Sequence, residues 1–213
     1  MNDLQTKILK ELIERYPKLQ SSENDIAAAF GLICDTYGKK GKLLIAGNGG
    51  SAADAEHIVG ELMKGFVKHR TLPQAYREKL LETDREFGEK LSEKLQGALP
   101  AISLAGHPGL STAYLNDVEP VLGFAQQVNG FGCADDLLFA ISTSGNSKNI
   151  LYAAVAAKAK GMKVIGLTGG SGGRLREYAD VAVIVDEWET YRIQELHLPV
   201  YHALCLMTEE EFF

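Results

Sequence analysis

Cysteine is scarce in this chain: Cys34, Cys133 and Cys205 lie far apart, with no C-x-x-C spacing among them. That argues against both a disulfide framework and a thiolate zinc knot, and marks the cysteines as small core residues of a protein in a reducing compartment. No segment approaches the roughly 20 apolar residues of a membrane span, and the amino terminus, MNDLQTKILKELIERYP, has charges in every turn where a secretory signal needs a continuous apolar run. A soluble cytoplasmic protein with no membrane partner is expected. Positive charge is also in deficit, with 22 Lys and Arg against 28 Asp and Glu and a formal net charge of -6, so a broad nucleic-acid-binding face is not expected. Internal repeats and low-complexity tracts are missing. So is G-x-x-x-x-G-K-[ST], which removes the usual lysine of a nucleoside triphosphate site.

What is present is ordinary globular composition, 213 residues with 46% hydrophobic content, enough for a single domain over 1–213. Residues 3–19 and 22–38 carry apolar side chains at helical spacing, separated by Pro17 and SSEND, with Ser22 and Asp25 placed as a capping pair. They predict an N-terminal helical hairpin within 1–40, placed either against another copy of the chain or over the edge of its own sheet. From residue 42 short apolar strands alternate with helices: KLLIA, PAISLA, DLLFAIS, KVIGLT and VAVIV. That alternation predicts an α/β fold, a three-layer, doubly wound, parallel five-stranded sheet. The final helix, from about Thr190 to Glu210, contains Pro199, which is expected to kink or interrupt it. Residues 71–99 interleave charges with Leu80, Leu81, Phe87, Leu91 and Leu95. They predict a charged insertion of one or two surface helices, read first as a solvated excursion and second as a lid or oligomer contact.

Three strands run into glycine- and hydroxyl-rich turns followed by helical sequence: LLIAGNGGSAADA, LLFAISTSGNSKNI and VIGLTGGSGGRL. Strand ends in a parallel sheet open onto the binding crevice, and a helix amino terminus behind each turn offers free N–H groups to an anion. Ser142, Thr143, Ser144 and Ser147 are spaced to wrap the oxygens of one phosphate, although hydroxyls before a helix also serve as local caps. Gly47, Gly49 and Ala52 fit G-x-G-x-x-A, but the acidic residue that a dinucleotide site needs about 20 positions later is replaced by FVKHR. A phosphorylated small molecule is the better match.

His57 and Glu61 share a helix face four residues apart, a spacing suited to one metal, one substrate or simple surface pairing. The last helix supplies Gln194, Glu195, His197 and His202 in RIQELHLPVYH. Polar groups on an apolar helix need partners, and His197 is expected as a hydrogen-bonded core histidine.

Taken together, GNGGSAADAEH, the Asn116–Asp117 pair, ISTSGNSKNI, AKAKGMKVIGLTG and RIQELH resemble, in order, the sugar isomerase (SIS) fold family and within it the phosphoheptose isomerases. The resemblance covers about residues 40–70 and 100–212. It implies the SIS fold, a homotetramer with its site at a subunit interface, and conversion of sedoheptulose 7-phosphate to D-glycero-D-manno-heptose 7-phosphate for surface polysaccharide. It implies substrate contacts from Asn48, Gly49, Gly50, Ser51, Asn116, Asp117 and Gln194, and phosphate contacts from Ser142, Thr143, Ser144 and Ser147. It further implies Zn²⁺ on His57, Glu61, Gln194 and His202, with Glu61 and His202 as the acid/base pair. A related regulator of replication initiation, which binds the initiator protein, shares the turns but lacks the counterparts of Glu61 and His202. Their presence here favours the enzyme over a non-catalytic sugar-phosphate-binding module, and the 71–99 insertion leaves room for an isomerase of another sugar phosphate. Gln194 and His202 lie roughly 12 Å apart along a straight helix and about 80° apart in rotation. One zinc ion takes both only if the site is completed across a subunit interface or Pro199 bends the helix.

Overall fold

The computed structural model describes all residues from Met1 to Phe213. Strands β1 (Leu43–Ala46), β2 (Ala101–Ser103), β3 (Leu137–Ile141), β4 (Lys163–Gly169) and β5 (Val181–Val185) form one parallel sheet in the order β2-β1-β3-β4-β5. Their runs are nearly all apolar because both faces of the sheet are covered. Leu43, Ile45, Leu137 and Phe139 pack into one core, which is shared with helices α1 (Asp3–Arg15), α2 (Glu23–Gly38), α3 (Gly50–Met63) and α10 (Thr190–Phe212). Leu44, Ala46, Leu138 and Ala140 pack into the other, with α7 (Gly123–Phe131), α8 (Lys148–Ala159) and α9 (Leu175–Tyr178). The expected three-layer doubly wound sheet is therefore the one observed. Its strand order puts the topological switch point between β1 and β3, whose turns face each other where ligands of such sheets bind.

The amino-terminal helices cover the chain's own sheet: α1 packs on α10, and α2 on α10 and β5. An Asn2–Gln5 capping box starts α1, with Gln5 N donating to Asn2 Oδ1 at 2.9 Å and Asn2 N donating to Gln5 Oε1 at 2.8 Å. The Ser22 hydroxyl does not cap α2 as its spacing from Asp25 predicts. It donates to the Ile184 carbonyl at 2.6 Å and so ties the helix entry to β5. Helix α10 runs through Pro199 as one continuous element, contrary to the expected interruption. Of the cysteines only Cys205 is a core residue, while Cys34 is half-buried and Cys133 is exposed. No helix is long and apolar enough to cross a membrane.

The insertion after α3 forms two helices, α4 (Gln74–Thr83) and α5 (Arg85–Lys94), which pack on each other around Gly88. Asp84 caps α5 by accepting the Phe87 N–H at 2.8 Å. Apart from Gly88 no residue of the pair is buried, in keeping with a solvated excursion. Its base is fixed more firmly. Arg70, fully buried, donates from Nη1 to the Leu62 carbonyl at 2.6 Å and from Nη2 to the Glu61 carbonyl at 2.9 Å, closing the carboxyl end of α3. Its Nε donates to Glu209 Oε1 at 2.8 Å. The Glu209 carboxylate also accepts the N–H groups of Phe66, Val67 and Lys68, at 2.8, 2.9 and 3.1 Å. Burial pushes the Glu209 carboxyl up, but these donors outweigh it and hold the group below its ordinary value of 4.5.

Arg70→Leu strands a buried carboxylate and is expected to cost about 3–5 kcal/mol, a fall in Tm on the order of 10 °C by thermal unfolding. Because the folded pKa of Glu209 is depressed, its stabilisation is complete above about pH 4.5 and is lost as pH falls through the lower folded value. Acid titration of stability is therefore expected to be shallower in Glu209→Gln than in the unaltered chain.

Candidate active site

The turn between β1 and α3 has little room for side chains. Gly49 adopts φ +57° as the residue capping α3, a conformation that favours glycine. A Cβ on Gly50 would meet Gln194 Nε2 at 2.6 Å, so α10 lays the Gln194 amide directly on the head of α3. Ser51 is buried at the first turn of the helix. Asn48 reaches across the switch point to Asn149 on α8: Asn48 Nδ2 donates to Asn149 Oδ1 at 3.0 Å, and Asn149 Nδ2 donates back to Asn48 Oδ1 at 2.8 Å. Asn149 Oδ1 also accepts the Ile150 N–H at 3.0 Å. The sequence reading missed Asn149 because its partner lies on a distant turn.

The turn from β3 to α8 gathers Ser142, Thr143, Ser144 and Ser147, as their spacing predicts. Ser147 stands at the start of α8 without capping it, its hydroxyl instead accepting that of Ser142 at 3.1 Å. Local capping therefore does not account for Ser147, whereas the Ser144 hydroxyl accepts the Asn146 N–H at 3.2 Å within the turn. The main-chain N–H groups of Thr143, Ser144 and Ser147, at the amino-terminal side of α8, are taken by no other part of the chain. The third glycine-rich turn, after β4, does not form a second open cradle. It leads into α9, only 4 residues long, and braces the second turn. The Leu175 N–H donates to the Gly145 carbonyl at 2.9 Å, the Gly169 N–H to Thr143 O at 3.1 Å, and the Arg174 N–H to Asn146 Oδ1 at 3.1 Å. Gly145 sits at φ +63° with the Gly172 carbonyl where a Cβ would go, so contact between the loops requires glycine there.

A cleft of about 280 Å³ beside the first turn is lined by Gly47, Asn48, Gly49 and Asn149, and across from them by Ser111 and Leu115. Asn116 and Asp117, at the end of α6 (Pro108–Asp117), do not line it. They are exposed, with Asn116 Nδ2 donating to Asp117 Oδ1 at 2.9 Å.

Farther along α3, His57 and Glu61 share one face and meet α10. His57 Nε2 is 3.2 Å from Glu61 Oε1, and Lys64 Nζ is 3.0 Å from Glu61 Oε2. The His202 ring stands edge-on to that of His57, with centroids 5.0 Å apart, and its Nε2 is buried without a hydrogen-bond partner. Burial, then the nearby His57 charge, lower the His202 pKa against the pull of Glu61, favouring the neutral imidazole. On its far side His57 Nδ1 is 3.0 Å from the Tyr201 hydroxyl, which donates to Asp54 Oδ1 at 3.2 Å. Burial pushes the Tyr201 phenol up, so it remains a proton donor. Burial also pushes up the Asp54 carboxyl, against the Tyr201 hydrogen bond. Sequence reading missed Asp54 and Tyr201, although Asp54 precedes His57 by one helical turn on the same face.

His57, Glu61 and His202 thus converge, whereas Gln194 stands at the other end of α3; the uninterrupted α10 does not close that gap. No group of three His, Cys, Asp or Glu side chains is already at metal-holding separation. The donor types nonetheless suit a divalent ion of zinc's character: Glu61 lies against His57, the His57 and His202 rings are neighbours, and one His202 ring nitrogen is orphaned. His197, expected as a hydrogen-bonded core histidine, is buried with neither nitrogen bonded. Burial lowers its pKa to about 4; the Thr168 main chain, which opposes that shift, falls short of hydrogen-bond geometry.

A parallel sheet with glycine- and hydroxyl-rich turns at its switch point fits a SIS domain, and the SIS domain model matches residues 92–169. The chain is 38% identical over 183 residues to the phosphoheptose isomerase of Crocosphaera subtropica, covering 86% of this chain and 80% of that one. The structure of phosphoheptose isomerase from Neisseria gonorrhoeae matches with TM-score 0.72 and 31% identity over 97% of this chain and 99% of that chain. That of a phosphoheptose isomerase from Francisella tularensis matches with TM-score 0.73 and 30% identity over 99% and 100%. The chain belongs to the phosphoheptose isomerase family.

Because Ser147 does not cap α8, Ser147→Ala is expected to fold normally. With phosphate on the turn it is expected to remove one hydrogen bond to a charged ligand, about 1.5–3 kcal/mol. The inorganic phosphate concentration needed to raise Tm should then increase about tenfold or more.

Proposed function

We propose that this chain is a zinc-dependent isomerase that converts sedoheptulose 7-phosphate to D-glycero-D-manno-heptose 7-phosphate in the cytoplasm. Family membership over most of the chain supports the reaction class. The observation that carries the reading at the level of residues is the approach of His202 on α10 to His57 and Glu61 on α3, the helix that leaves the first turn; the turn after β3 adds free N–H groups and hydroxyls. Ser142, Thr143, Ser144 and Ser147 anchor the phosphate, and Asn48, Gly49, Gly50 and Ser51 line the sugar, with Gln194 held above Gly50.

Ketose to aldose conversion moves a proton between neighbouring carbons through an enediol, which needs a base at carbon and an acid at oxygen. Glu61 and His202 form that pair, and the lowered pKa of His202 keeps its imidazole neutral and able to accept a proton near neutral pH. A zinc ion on His57, Glu61, Gln194 and His202 supplies Lewis-acid polarisation of the carbonyl. The separation of Gln194 from the other three within one chain supports a site completed by a second copy, and we read the protein as a homotetramer. Asn116 and Asp117, which follow the cleft-lining Leu115 but do not themselves line the cleft within one chain, reach substrate in the same way.

Purified protein is expected to turn over sedoheptulose 7-phosphate in a coupled assay, lose activity with chelator and regain it with zinc. Glu61→Gln and His202→Gln are each expected to lower kcat by at least about a hundredfold. Dilution to monomers is expected to lower zinc affinity and activity together. Binding of the sugar phosphate without turnover would instead indicate another sugar or a binding module.

A further inference from the structure

We infer that Asp54 and Tyr201 are positioning residues that fix the tautomer of His57, so that its Nε2 lone pair faces Glu61 and His202. The chain of contacts has one direction. A carboxylate only accepts hydrogen bonds, so at Asp54 Oδ1 the Tyr201 hydroxyl must donate, at 3.2 Å. Its single proton spent there, that hydroxyl faces His57 Nδ1 at 3.0 Å as an acceptor, and Nδ1 must carry the hydrogen. The neutral ring then has its lone pair on Nε2, 3.2 Å from Glu61 Oε1. Left to itself the pair would choose the opposite arrangement, with Nε2–H donating to Glu61. The Asp54–Tyr201 link prevents this and holds two acceptors face to face around a position suited to a cation.

Two further observations fit. The Tyr201 ring is 1% exposed and stands edge-on to the His57 ring, with centroids 5.6 Å apart at 77°, which fixes the imidazole plane. Asp54 Oδ2 is buried and unpartnered, so no other donor competes with Tyr201 for the carboxylate. The inference deepens the proposed function and rests on it only in naming His57 as a metal ligand.

The test uses the full-length protein with ¹⁵N-labelled histidine, free of added metal, at a pH above the ordinary histidine range. The His57 ring is expected as the Nδ1–H tautomer. Tyr201→Phe, which removes only the hydroxyl, and Asp54→Asn, whose amide can turn the direction of the chain, are both expected to mix the tautomers. Zinc affinity, measured by competition with a chelator, is expected to weaken about 10- to 100-fold in both. Finding Nε2–H at His57 in the unaltered protein overturns the inference, as does an unchanged tautomer and zinc affinity in both variants. Should Tyr201→Phe fail to fold, Asp54→Asn decides alone. Neither readout uses turnover, so absence of isomerase activity would count against the proposed function and leave this result standing.

Discussion

The Glu209 carboxylate is the fixture on which the geometry of the site depends. One side chain near the end of α10 accepts three successive N–H groups from the segment after α3 and a fourth bond from Arg70. Arg70 in turn takes the last carbonyls of α3, including that of Glu61. A buried ion pair of this kind repays its desolvation only when its remaining donors and acceptors are also satisfied, which is the case here. His202 and Glu209 lie two turns apart on one face of α10, so the clamp that closes α3 also sets the spacing between Glu61 and His202. Glu61 and His202 are thus held in place from behind.

The amino-terminal end of α3 is organised by close approach instead. Gly50 admits the Gln194 amide, Gly49 turns the chain through a positive φ, and Gly145 admits the Gly172 carbonyl. At Gly145 backbone is brought to backbone, and at Gly50 a side-chain amide to backbone. The sheet contributes only position: parallel strands that end together at the switch point between β1 and β3.

The strands were readable because both their faces are buried, which makes them continuous apolar runs, and the helices because of their spacing. The gathering of hydroxyls on the turn after β3 was readable because they are neighbours in the chain. What sequence did not disclose depends on elements far apart. Ser22 looks like a cap until β5 lies beside it, and the third glycine-rich turn looks like a cradle until it packs against the second. Pro199 lacks one N–H, a local defect that packing on both sides of α10 overrides. Asp54, Asn149 and Tyr201 gain their roles only across helix–helix or turn–turn contacts, and Cys133 differs from Cys205 only in where the fold leaves it.

The Asn48–Asn149 pair joins two turns whose helices depart to opposite faces of the sheet. Across the pair each amide gives one bond and takes one, and neither carries charge. A salt link in the same place would strengthen or fade with acidity and with dissolved ions, and would compete with a dianionic guest for counter-charge. The neutral clasp does neither, so the width of the mouth between the turns is insensitive to both.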